Sequence, residues 1–128
     1  MRLIKSKKIK IAIVGCGRIS KNHFDSIDSN SEFIQLISVC DIDEIVLAYN
    51  EEKYKVNGYV YLEEMLKNEK LDLVSICTPS GLHSEQTKLC ANYGVNVITE
   101  KPMATSWKDG ISMVKACEKA NVGLFVVK

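Results

Sequence analysis

The chain has 128 residues, 46% hydrophobic and 26% charged, and 17 basic residues stand against 16 acidic ones for a net charge of +1. One domain of this size buries roughly two-thirds of its unfolded surface, enough for a core without disulfides or metals. The charge balance and hydropathy exclude a nucleic-acid partner and a membrane span, and the composition excludes disorder, collagen, coiled coil and a disulfide scaffold.

Residues 1–10 hold five bases (Arg2, Lys5, Lys7, Lys8 and Lys10) and no acid, leaving 12 bases against 16 acids in the rest. This reads as a solvated basic tail. A secretory signal would continue it with a longer apolar stretch and a small-residue cleavage site. Here the apolar run 11–14 passes straight into glycines and Arg18, so no signal peptide is expected.

From there strand and helix patterns alternate. Residues 9–14 (IKIAIV) form a buried strand ended by Gly15, and 18–28 follow with Ile19, His23 or Phe24, and Ile27 at helical spacing. Residues 34–40 (IQLISVC) make a second strand, after which Asp43 can cap a helix to about Tyr54. A short third strand covers 58–60, and Leu62, Met65 and Leu66 mark one brief helix. Residues 71–77 (LDLVSIC) give a fourth strand, broken by Pro79, and the helix over 82–93 stops at Gly94, which suits a left-handed C′ position. Residues 95–99 form the fifth strand. Ser106 and Asp109 make a capping pair for a helix on which Trp107, Ile111, Val114 and Cys117 share a face. Residues 122–127 are the sixth strand. Such alternation predicts a mostly parallel sheet with helices on both faces, in the order 3-2-1-4-5-6: a doubly wound α/β Rossmann domain over residues 1–128.

Five cysteines (Cys16, Cys40, Cys77, Cys90 and Cys117) are odd in number and form no CxxC pair, and His23 and His83 complete no zinc spacing. No metal site is expected, and unpaired thiols point to a reducing cytoplasm.

Four places carry chemistry. Gly15-Cys16-Gly17-Arg18-Ile19-Ser20 lies between a strand and a helix, where a GxGxxG-like match has meaning. Gly15 permits the tight turn, Gly17 lets backbone approach a pyrophosphate, and the helix start offers free N–H groups and a positive dipole end. Ser20 departs from the usual Gly or Ala at the third position, but it is small. Cys16 reads best as a small side chain in the turn, and it lies among the residues expected to contact the cofactor. Asp41 ends the second strand, 26 residues after Gly15. A carboxylate there can hold both adenine-ribose hydroxyls and repel a 2′-phosphate, and Ile42, Asp43 and Glu44 supply no cation to receive one, which argues for NAD over NADP. The alternative role of Asp41, a helix cap, is better served by Asp43. Third, Thr78, Pro79 and Ser80 follow the fourth strand at the switch-point crevice, where Thr78 and Ser80 can meet a ribose or phosphate. Ser80 equally suits a cap of the next helix. His83, in the first turn of that helix, is discounted as an acid or base. Fourth, Glu100-Lys101-Pro102 follows the fifth strand. Lys101 can face a nicotinamide ribose or a substrate hydroxyl, and partial desolvation would fit it for acid–base work, although spacing alone favours a Glu100–Lys101 surface ion pair.

GCGRIS, the acid at Asp41, CTPSGLHSE and EKPMA, in this order and spacing, resemble the Gfo/Idh/MocA oxidoreductases over residues 8–128. The resemblance implies a two-domain enzyme: an N-terminal Rossmann domain for NAD or NADP, and a C-terminal α/β domain that binds a sugar or polyol and builds a homo-oligomer. By position it implies that Gly15, Gly17, Arg18 and Ile19 contact cofactor phosphates and their neighbours, and that Asp41 holds the adenine ribose. Thr78, Pro79, Ser80 and His83 would line the cofactor crevice. Glu100, Lys101 and Pro102 would sit at the nicotinamide end, with Lys101 the catalytic lysine. MATSWKDG and GLFVVK look similar to one branch, the UDP-N-acetylglucosaminuronate 3-dehydrogenases of surface-polysaccharide synthesis. The family's substrate half has no counterpart in these residues, so the chain is expected to bind NAD without turning over a sugar or nucleotide-sugar by itself. Two alternatives stay open: a non-catalytic dinucleotide-binding module that meets a partner, and a Rossmann-like domain for another nucleotide.

Overall fold

A computed structural model describes residues 8–128; residues 1–7, most of the basic tail, lie outside the described residues. Among the described residues the elements run β1 (Ile9–Val14), α1 (Ser20–Ser29), β2 (Ile34–Cys40), α2 (Glu44–Tyr54), β3 (Asn57–Tyr59), α3 (Leu62–Asn68), β4 (Leu73–Ile76), α4 (His83–Asn92), β5 (Asn96–Thr99), α5 (Trp107–Ala120) and β6 (Leu124–Val126). Every strand pairing is parallel, and the sheet order is β3-β2-β1-β4-β5-β6, as the alternation predicts.

Alternating side chains of β1 serve two helical layers, which is why the strand reads as a continuous apolar run. Ile11 and Ile13 pack with Val39 against Phe24 and Ile27 of α1 and Leu47 of α2. Ala12 and Val14 pack with Val74 and Ile76 against Met65 and Leu66 of α3 and Cys90 of α4. Helix ends follow local chemistry. The Asp43 carboxylate accepts hydrogen bonds from the Ile45 and Val46 N–H groups, capping α2. Gly94, at φ +72°, closes α4: the Val95 N–H reaches the Cys90 carbonyl (3.1 Å) and the Gly94 N–H that of Ala91 (2.9 Å), the two bonds of a Schellman end. Ser106 Oγ accepts from the Asp109 N–H at 3.1 Å and caps α5.

Two local expectations are corrected. Trp107 is 84% exposed, and Ile111 and Val114 also face outward. The inward stripe of α5 is instead Met113 and Cys117 with the half-buried Gly110, Ala116 and Ala120. This helix packs on α4, where Ala91 meets Cys117 and Ala116, so small residues take that contact while Trp107, Ile111 and Val114 are turned out. Ser80 caps nothing: it opens a 3-10 turn, Ser80–Leu82, and α4 starts without a side-chain cap. Among the described residues no helix is long and apolar enough to cross a membrane.

Candidate functional site

The carboxyl ends of β1, β4 and β5 lie side by side, tied by the Cys77 N–H to the Val14 carbonyl (2.7 Å) and the Glu100 N–H to that of Ile76 (2.9 Å). Each strand opens into one of the sequence motifs. At β1, Gly15 turns at φ +86°, and a Cβ there would stand 2.8 Å from the Cys77 carbonyl carbon and the Thr78 nitrogen. The residue is glycine because two backbones meet there as well as because the chain turns. Gly17 is different: a Cβ would meet nothing within 4 Å. The N–H groups of Gly17, Arg18 and Ile19 have no partner among the described residues, all three residues are exposed, and no side chain caps α1. Open space over a glycine beside three free donors at a helix N-terminus fits a pyrophosphate. Ser20 fills the third position by turning inward, 2% exposed, with its hydroxyl donating to the Gly17 carbonyl.

Cys16 offers the crevice neither thiol nor N–H, which corrects its place among the cofactor contacts. Its side chain is 8% exposed, and its N–H donates to Asp41 Oδ2 at 2.8 Å. Asp41 Oδ1 accepts from the Asp43 N–H, also at 2.8 Å. Asp41 therefore clasps the glycine turn to the end of β2 while each oxygen keeps acceptor capacity toward solvent.

After β4, the Thr78 hydroxyl donates to Gln86 Oε1, while Pro79 is exposed and the Ser80 hydroxyl has no partner among the described residues. His83 does not line the crevice as the resemblance implied. It is 1% exposed, with Nδ1 2.9 Å from the Pro102 carbonyl and Nε2 2.8 Å from that of Thr78, so it stands behind the wall and joins two loops.

After β5, Glu100 does not pair with Lys101. Its Oε2 meets His23 Nε2 at 2.5 Å, and His23 Nδ1 meets the buried Ser75 hydroxyl. Lys101 is exposed with no side-chain partner among the described residues, so the desolvation expected for it is not supplied by them. The Lys101–Pro102 peptide is cis. Sequence reasoning missed His23 and Ser75. The one available signal was the place of His23 one turn before Ile27, which sets a polar ring beside the inward face of α1.

Burial pushes the thiols of Cys16, Cys40 and Cys77 up to about 12, with the Asp41 carboxylate adding to the first two. None is a nucleophile near neutral pH. The folded state holds these protons more tightly than an unfolded thiol, which titrates near 9, so their contribution to stability is complete below pH 9 and lost as pH rises toward 12. Each takes up to about 1.4 kcal/mol per pH unit off the folded state in that window. The unfolding temperature is expected to stay level from pH 7 to 8.5 and to fall steeply above 9. A level profile through pH 10.5 would contradict this account.

A doubly wound parallel sheet with a glycine turn at a helix start and an acid closing the second strand defines a dinucleotide-binding domain. Residues 9–128 match the Gfo/Idh/MocA oxidoreductase family, NAD-binding Rossmann fold, and the chain belongs to that family. It is similar to the WlbA dehydrogenase from Chromobacterium violaceum, solved in complex with NADH and UDP-GlcNAcA, at TM-score 0.94 and 47% identity over 97% of this chain and 36% of that one. The WlbA dehydrogenase from Bordetella pertussis, with the same two ligands, follows at TM-score 0.92 and 43% identity over 94% of this chain and 37% of that one. The D-apiose dehydrogenase of Paraburkholderia graminis is 34% identical over 94% of this chain and 32% of its own length. The chain thus spans about a third of the relatives it matches.

Proposed function

We propose that this chain is the cofactor-holding domain of an NAD-dependent sugar or nucleotide-sugar dehydrogenase, with substrate bound by a second domain of the kind that fills the rest of its relatives' length. The observation that carries the reading is the set of three unpaired N–H groups at Gly17, Arg18 and Ile19, with open space at Gly17 and with the preceding residue, Cys16, tied to Asp41 at the end of β2. These donors would hold the pyrophosphate, and the exposed Arg18 adds a positive charge beside them. Asp41 would accept both adenine-ribose hydroxyls. With Asp43 and Glu44 close by in sequence, it disfavours a 2′-phosphate, hence NAD over NADP. Ser80, its hydroxyl free, would meet the nicotinamide-side ribose, and Thr78 and Pro79 would shape the wall.

When bound, NAD accepts a hydride from the substrate carbon. Lys101 would take the proton of the reacting hydroxyl on its Nζ as the C–H bond breaks, and return it in the reverse direction. The second domain would exclude water from this lysine. The similarity to WlbA supports a UDP-linked hexuronate substrate in surface-polysaccharide synthesis, and the five free thiols suit a reducing cytoplasm. The family resemblance supports a homo-oligomer assembled through the second domain.

Thermal unfolding with NADH, with NADPH and without ligand tests the cofactor reading. At one hundred times Kd a ligand adds about 2.7 kcal/mol, an upward shift of roughly 10 °C for a chain of this size. The shift is expected with NADH and not with NADPH at equal concentration. Equal shifts would overturn the role of Asp41, and no shift with either would overturn the reading.

A further inference from the structure

We propose that His23 and His83 are positioning residues for Lys101, clamping the Glu100-Lys101-Pro102 turn from its two flanks. The inference rests on the reading of Lys101 as the group at the nicotinamide end. From Lys101 to Thr105 no backbone group pairs with another among the described residues, and Lys101 itself has no side-chain partner. A four-carbon side chain on an untethered loop would lose most of any preset position to its own rotamer freedom. Two contacts supply the tether. On one side the Glu100 carboxylate is held by His23, whose other nitrogen is held by Ser75 in the middle of the sheet. On the other side the Pro102 carbonyl is held by His83, whose second nitrogen reaches the Thr78 carbonyl across the crevice wall.

The protons are constrained by the partners. An ionised Glu100 only accepts, so His23 Nε2 donates to it, and the Ser75 hydroxyl, which can donate or accept, meets Nδ1. Both partners of His83 are carbonyls, which also only accept, so the ring is the donor of the bond that holds the turn. Each histidine comes from a helix that flanks the crevice. Helix α1 carries the free N–H groups of Gly17 to Ile19 at its start and His23 one turn further on. The same rigid element therefore sets both the phosphate subsite and the Lys101 turn, and fixes the span between them. Glu100 Oε1 has no partner among the described residues and is left to meet a donor on the ligand.

The test compares NADH with ADP-ribose, which carries the adenosine and the pyrophosphate without the nicotinamide. Titrations on the chain are expected to show that His23→Ala and His83→Ala each weaken NADH about tenfold, the scale of one lost hydrogen bond, and leave ADP-ribose within twofold. Lys101→Met is expected to remove the same preference, and His23→Ala added to Lys101→Met to cost nothing more. His23→Gln, whose amide can still donate to Glu100, should recover most of the NADH affinity. If His23→Ala does not fold, Ser75→Ala carries the same cycle. Equal losses for NADH and ADP-ribose, or losses that add in full with Lys101→Met, would overturn the inference while leaving the cofactor reading intact. A wild-type chain that binds neither ligand would overturn the cofactor reading and the inference with it.

Discussion

Gly15→Ala is expected to destabilise the chain by about 2–5 kcal/mol, a large share of the 5–15 kcal/mol typical of a domain. Two costs add. An alanine in the left-handed region costs about 1–2 kcal/mol, and Gly15 sits at φ +86°. The new methyl would also stand 2.8 Å from the Cys77 and Thr78 backbone, which cannot swing away as a side chain would; overpacking of this kind costs about 1–3 kcal/mol. The unfolding temperature should fall by roughly 10–20 °C. Gly17→Ala is the informative companion. It lacks both costs, with no positive φ and nothing within 4 Å, so its stability should stay within about 0.5 kcal/mol of wild type. The methyl would instead occupy the space above the three free N–H groups, and NADH binding should fall at least tenfold. Calorimetry and a fluorescence titration separate the two glycines. A stable Gly15→Ala chain would mean that β1 and β4 do not close on each other as described.

Asp41→Ala is expected to weaken NADH about 100-fold, or 2.7 kcal/mol, since two hydrogen bonds to a charged acceptor are worth about 1.5 kcal/mol each. It should also cost the unliganded chain stability, because the Cys16 and Asp43 N–H groups both lose their acceptor. That second loss is the distinctive part, as a residue serving only the ribose would be silent without ligand. Asp41→Ser keeps one acceptor, removes the charge, and should shift the NADH-to-NADPH preference toward NADPH by at least tenfold. Unfolding curves without ligand and titrations with each cofactor measure both effects. An unchanged preference in Asp41→Ser would place the adenine ribose elsewhere.

Where one signal decides an element, the sequence was legible. The apolar runs of β1 and β2, the cap at Asp43, the stop at Gly94 and the strand order follow from hydrophobic period and crossover handedness, and the structure agrees. The face of α5 was not legible, because Trp107, Ile111 and Val114 make the more hydrophobic stripe while its contact with α4 takes small residues. Site residues divide in the same way. The free N–H groups of Gly17, Arg18 and Ile19 were legible because a helix start leaves its N–H groups free wherever it occurs. Cys16 and His83 were placed in the crevice by chain position, yet their orientations depend on Asp41 and on the Thr78 and Pro102 carbonyls. The His23–Glu100 pair spans 77 residues, and no local pattern announces a partner so far along the chain.

The sheet order has a consequence for synthesis. β1 pairs with β2 on one side and, on the other, with β4, whose Leu73 lies opposite Ile11, 62 residues earlier in the chain. At roughly 5–20 residues per second, a ribosome needs about 3–12 s to deliver that second partner. By the end of this interval β3, β2 and β1 are available as a half-sheet whose open edge, β1, is also its most apolar strand. Ala12, Val14 and Cys40 on one face still await α3 and α4. An unpaired apolar edge is a template for any other strand, including the same strand on a neighbouring nascent chain. The strand that ends as an innermost member of the sheet therefore spends its first seconds as the rim.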